Sequence, residues 1–270
     1  RGLVSPIEGG GTASKVREST AIERLYPATP AGGVAGRTLR YWRRDPRYLA
    51  GIAGFLIGPI VLIITQVINP QSSPVLAVFA PSLLGMLVGF SLAQDLSYDG
   101  TALWLHISTG IRGAEDRTGR VMSTITIYLP LIVILLCVAM IITGEWPLLV
   151  PAVGLALALL LTGLGVGSLV GTLWQWPAPQ PGANPFTRGN AGGLPSLLSF
   201  TLTMFGTVIL ALPTIALVIW SFATPWVGYL TLPVGLTCGY IVLRIGISQG
   251  GRILDRRWPE AMLAVSEKAA

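Results

Sequence analysis

The feature that most constrains this chain is a repeated one: six long apolar runs, each bounded by polar or turn-forming residues. They are Ala50 to Ile68, Pro74 to Ala93, Met122 to Gly144, Leu148 to Trp174, Pro195 to Ser221 and Trp226 to Gly246. The only charged residue in any of them is Arg244, close to the end of the sixth. A helix rises about 1.5 Å per residue and a bilayer core is about 30 Å thick, so about 20 apolar residues suffice to cross it. Buried helices of soluble proteins are shorter and one-sided, and barrel strands would alternate with a period of two, which these runs do not. With 52% hydrophobic and 11% charged residues and a mean hydropathy of +0.68, the whole composition agrees with a polytopic, all-α membrane protein.

Lys and Arg accumulate in cytoplasmic connections. Nine precede the first run (Arg1, Lys15, Arg17, Arg24, Arg37, Arg40, Arg43, Arg44 and Arg47). Arg112, Arg117 and Arg120 lie between the second and third, Arg188 between the fourth and fifth, and Arg252, Arg256, Arg257 and Lys268 after the sixth. The alternate connections, 69–73, 144–147 and 222–225, contain none. Six crossings with both termini cytoplasmic follow. The net charge of +6 then marks topology, and bases spread along helix ends are a poor nucleic-acid surface.

Four regions are expected: a linker-like lead over 1–33 with the Gly9-Gly10-Gly11 run, an amphipathic connecting helix over 34–49, a six-helix domain over 50–251, and a cytoplasmic tail over 252–270. The absence of an initiator Met fits a piece of something longer. In "VAGRTLRYWRRDPRYLAG", Leu39 and Trp42 sit at helical spacing opposite a basic face. Tyr41, Trp42, Tyr48, Arg43, Arg44 and Arg47 are therefore expected to anchor that helix at the lipid interface, and Asp45-Pro46 to break it. Cys137 and Cys238 fall inside apolar runs, without partners at ligand spacing, and read as small apolar side chains.

Seven charged residues are concentrated between two apolar runs in "DLSYDGTALWLHISTGIRGAEDRTGRV", Asp95 to Val121, with the only histidine, His106. Asp99 followed by Gly100 and Thr101 suits a helix start, a short helix should run from Thr101 to about Ser108, and Thr109-Gly110 should stop it. A second helix should start near Gly113, with Glu115 and Asp116 at its positive end, and continue into the third crossing. Arg117 and Arg120 are expected to snorkel to the interface. Asp95, Asp99, Glu115 and Asp116 are placed at the interface too, and on spacing alone the segment reads equally well as a solvated loop.

The pattern Asp95, Gly100-Thr101, Leu103-Trp104-Leu105, Thr109-Gly110, Arg112, Asp116-Arg117, Gly119-Arg120 resembles the motif after the second helix in type-2 ATP-binding-cassette exporter permeases. Arg40 to Tyr48 resembles their connecting helix. The likeness is strongest to large actinobacterial permeases in which two six-helix units are joined, this chain corresponding to the second. It departs from other members in the short gap 222–225, which leaves no room for paired half-helices. The resemblance implies a coupling helix that contacts an ATPase, with Tyr98, Asp99, Gly100, Thr101, Trp104, Leu105, Arg112, Asp116 and Arg117 as the coupling residues. It also implies two ATPase subunits that bind ATP and Mg, a second six-helix unit, and a small hydrophobic substrate passing residues such as Phe55, Gln66, Phe79, Phe90, Phe200, Met204 and Phe205.

No cofactor is expected in this chain, since no G-x-x-x-x-G-K-S/T loop occurs. The glycines of "GVGSLVG" belong to a ladder, Gly163, Gly167 and Gly171, that suits close helix packing. Six prolines, Pro59, Pro81, Pro130, Pro151, Pro213 and Pro233, fall within crossings and are expected to bend them. Two other classes share the topology: a non-transporting membrane scaffold, and a secondary carrier, which the lack of mid-membrane ionisable residues disfavours.

Overall fold

The computed structural model describes residues 22–176, 178 and 193–266. The glycine-rich lead, the proline-rich connection around Arg188 and the last residues with Lys268 lie outside the described residues. The described residues form eight α-helices: α1 (Pro30–Arg44), α2 (Pro46–Ile68), α3 (Val75–Asp99), α4 (Trp104–Thr109), α5 (Gly113–Thr143), α6 (Leu149–Leu173), α7 (Gly193–Ser221) and α8 (Thr231–Ser266). Short 3-10 turns precede α4, α6 and α8, and no strand occurs among the described residues. Helices α2, α3, α5, α6, α7 and α8 are each long and apolar enough to cross a membrane. Polar connections with α1 and α4 gather at one end of the bundle, the charged end; residues 69–74, 144–148 and 222–230 form the other.

Local chemistry sets most boundaries. Thr29 caps α1 by accepting the Gly32 N–H at 3.2 Å, with Pro30 at the first turn. Pro46 forces Asp45 out of the helical basin (φ −94°, ψ 115°), which ends α1; the Asp45 carboxylate then caps α2 through the Arg47 N–H at 2.9 Å. Gly110 stops α4 in the left-handed region (φ +65°), where a Cβ would be strained. Glu115 reaches back to the Arg112 N–H at 3.2 Å, fixing the start of α5.

The centre of the bundle is α6, which uses two faces of small residues. Gly163, Gly167 and Gly171 lie against Gly85, Gly89 and Ala93 of α3; a Cβ on Gly167 would fall 2.1 Å from the Gly89 carbonyl oxygen. On the other face Gly165 meets Gly246 of α8 just as closely. Backbones at this separation are held by van der Waals packing that larger side chains would prevent. Around this slab α2, α5 and α7 carry long apolar faces turned outward, among them Ile57, Val61, Ile141, Phe205 and Ile219.

Three expectations are corrected here. Helix α8 does not end at Gly246 but continues, kinked at Arg257, to Ser266, so most of the supposed tail is helix. Its stripe of Leu254, Trp258, Ala261 and Val265 packs on Leu96 and Leu103 in a second apolar core at the charged end. Pro151 and Pro233 are third residues of α6 and α8, where no intrahelical donor is lost, so neither bends a crossing.

Candidate functional site

The residues of 95–121 come together as a sealed ionic cluster rather than a solvated loop. Asp116, on the first turn of α5, accepts Arg117 Nε at 2.9 Å and NH2 at 2.5 Å, and Arg120 Nε at 3.0 Å. His106 Nδ1 of α4 lies 2.8 Å from the same carboxylate, close but not aligned as a hydrogen bond. Arg120 also donates through NH2 to Asp99 at the end of α3, and Arg37 of α1 donates to the same Asp99 oxygen at 2.8 Å. Asp95, one turn earlier on α3, is fully buried, and among the described residues no group donates to either of its oxygens.

Arg117 and Arg120 are 0% exposed, so neither snorkels, and Asp95, Asp99 and Asp116 are likewise withdrawn from solvent. The cause is α1. Its apolar stripe Val34, Ala35, Leu39 and Trp42 is buried, with Gly119 of α5 close enough that a Cβ would meet the Ala31 carbonyl oxygen. That stripe lies on the protein, not on lipid, and it covers the charges. Asp99 is the last residue of α3 rather than a cap for the next helix, and the first turn of the short segment is 3-10, with α4 running only from Trp104 to Thr109. Buried charges are tolerated when paired, and Asp95, Asp99 and Asp116 balance Arg37, Arg117 and Arg120 in number.

An aromatic wall closes the cluster on the side of α2. Trp42 sits 4.7 Å from Tyr48 and 5.4 Å from Tyr128, and Tyr48 sits 5.1 Å from Tyr98, centroid to centroid. Arg47 stacks over Tyr98 at 4.8 Å and pairs with Asp45. Trp42 and Tyr48, expected as lipid anchors, are each 2% exposed and belong to the core; Arg43 and Arg44 remain on the surface. Tyr41 is half-buried beneath Arg37.

Helix α4 presents two faces. His106 points inward, between Asp116 and the Trp258 ring at 5.9 Å. Trp104 (55% exposed), Leu105 and Ile107 point outward as bare apolar surface. A groove of about 410 Å³ separates α4 from α1, bounded by Val34, Arg37, Leu105, His106, Ile111 and Glu115. From the far side the Asp255 carboxylate of α8 accepts the Gly113 N–H at 2.6 Å, tying the start of α5 to α8. Of the expected coupling residues, Tyr98, Asp99, Asp116 and Arg117 are within this cluster, Trp104, Leu105 and Arg112 face outward, and Gly100 is the positive-φ turn (φ +51°) between α3 and α4. The Thr101 side chain lies outside the described residues.

Arg37, Asp95, His106, Arg120, Asp255 and Trp258 complete the cluster and its supports, and none of them stood among the expected coupling residues. One signal for them is present in the sequence: acids and bases nearly balance within the segment, and Asp116 and Arg120 are spaced one helical turn apart.

The residues expected to line a substrate path do not converge. Phe90 packs edge-on against Phe200 at 5.1 Å and Phe79 against Phe222 at 6.3 Å along the seam of α3 and α7, while Phe55 lies 6.4 Å from Tyr128. Met204 is buried, Phe205 faces outward, and Gln66 is used at the end of α2, where its amide accepts from Ser72 and donates to the Pro70 carbonyl. An apolar groove of about 430 Å³ lies elsewhere, between α5 and α6 near Leu136, Met140, Trp146 and Val153, and none of those seven residues lines it. No group of three His, Cys, Asp or Glu side chains among the described residues could hold a metal ion.

Helices of this length and apolarity, with their charge sealed at one end, define a multi-pass α-helical membrane protein. Comparison with family models, with curated proteins and with solved structures found no match to this chain.

Proposed function

We propose that this chain is the transmembrane permease unit of an ATP-driven exporter in the plasma membrane. It works with a second six-helix unit and two cytoplasmic ATP-binding-cassette ATPases that bind ATP and Mg, and it exports a hydrophobic or amphipathic compound such as an antibiotic or drug. The reading rests on the resemblance of 95–121 and Arg40 to Tyr48 to that class. The observation that supports it best is α4, with Trp104 and Leu105 bare on one side and His106 tied to the ionic cluster on the other. A helix built that way can receive a partner on its outer face and pass displacement to α5 through Asp116. An exposed apolar patch on a charged end is otherwise a solubility liability.

In this reading both termini and α4 are cytoplasmic, as the distribution of Lys and Arg requires. Trp104→Asp or Leu105→Asp is expected to leave thermal unfolding of the purified protein unchanged. The same variants should lower ATP-dependent export at least tenfold, because a charge on the docking face disfavours an apolar partner. Copurification from native membranes decides between this and a scaffold: an ATP-binding-cassette subunit must accompany the wild type. Export that persists without ATP but stops when the ion gradient is dissipated would instead establish a secondary carrier.

A further inference from the structure

The three buried aspartates are unequally served by the buried Arg117 and Arg120 and the half-buried Arg37. Asp99 holds Arg37 and Arg120, Asp116 holds Arg117 and Arg120, and Asp95 holds none. Asp95 is nonetheless within the electrostatic reach of Arg120 and Arg117. It stands four residues before Asp99, so it projects from the same face of α3, about 6 Å nearer the middle of the bundle. Arg120 NH1 and Arg117 NH1 are buried without an acceptor.

We propose that Arg120 is a two-position switch, bridging Asp99 and Asp116 in the state described here and transferring to Asp95 in a second state. Nothing is orphaned by the transfer. Asp99 keeps Arg37 at 2.8 Å and Asp116 keeps Arg117 at 2.5 Å, so each aspartate then has one arginine. The two arrangements contain the same ions in the same volume: in the first, Asp99 and Asp116 are each served twice and Asp95 not at all, and in the second each aspartate is served once. Two packings so closely matched make a bistable element.

The transfer moves the grip of α5 one turn along α3. Helix α4 follows, because His106 lies on Asp116, and α1 follows through its contact with Gly119. Arg117 stays on Asp116 in both states and acts as a positioning residue. This switch is a property of the chain alone and does not require the proposed ATPase partner.

The test is a spin-label distance measurement on the full chain in lipid nanodiscs without any ATPase. Cys137 and Cys238 are replaced by Ala, and labels are placed at the exposed positions Leu49 on α2 and Ile107 on α4. The wild type is expected to show two distances. Asp95→Asn, which removes the charge of the second acceptor, should deplete one of them about tenfold, and Asp99→Asn, which removes the charge of the first, should enrich the same one by a similar factor. Asp95→Glu should retain both, and it decides the matter together with Asp95→Asn if Asp99→Asn does not fold. Populations that do not respond to Asp95→Asn, or that move in the same direction in Asp95→Asn and Asp99→Asn, overturn the switch. An exporter without the switch would show ATPase coupling but unmoved distances; a switch without the exporter would show the reverse.

Discussion

Asp116 is the residue on which most of the charged end depends, since Arg117, Arg120 and His106 all converge on it. Asp116→Ala leaves two guanidinium groups short of an acceptor in a site with no access to water. Breaking a buried pair in this way costs about 3–5 kcal/mol, and the loss should appear as a lowered unfolding temperature followed by circular dichroism in detergent. The sequence shows where these charges cluster but not that they are covered. Positive charge near a crossing reports which side of the membrane a connection faces; whether Arg117 and Arg120 reach that interface depends on where α1 lies, and α1 lies on α5. The balance of acids and bases in 95–121 is what a buried cluster needs, and a snorkelling array does not need it.

At the level of elements, the glycines separate into two kinds with opposite expectations. Gly167→Val places a branched side chain where even a Cβ would come within 2.1 Å of the Gly89 carbonyl oxygen, so α3 and α6 must part. A loss of about 3 kcal/mol or more is expected, read as a lower unfolding temperature or failure to accumulate in membranes. Gly33→Ala on α1 meets nothing within 4 Å and should raise stability by about 0.5–1 kcal/mol through helix propensity. The six crossings were legible because apolar length is a property of each run by itself. The end of α8 is harder to recognise as helix, because Arg252, Asp255, Arg256, Arg257 and Glu260 make it resemble a tail. Yet Leu254, Trp258, Ala261 and Val265 recur at helical intervals, and that stripe was the available signal. The residues expected along a substrate path are dispersed for a related reason: aromatic size says nothing about which seam a side chain enters, and Phe90 with Phe200 fills one while Phe205 faces outward.

At the scale of the molecule, six crossings and the skewed distribution of Lys and Arg lead to a topology that can be checked directly. Reporter fusions after Ser266 and within the α4 segment should both be active only as cytoplasmic reporters, and one at Ser72 only as an external one. The two glycine faces of α6 have a mechanical consequence. Helices α3, α6 and α8 touch backbone to backbone and cannot slide without collision, so they form a stator. Helix α5, with α1 and α4 attached, meets α3 through side chains that can exchange partners, and its own fixed point is Gly113, pressed against Gly251. It is therefore a lever pivoted at its own first residue, with α4 and α1 bearing on it close to the pivot, at Asp116 and Gly119, and its long end in the membrane. Small displacements at α4 are magnified toward Met140, and a crosslink between α3 and α5 should freeze the molecule while one between α3 and α6 should cost it nothing.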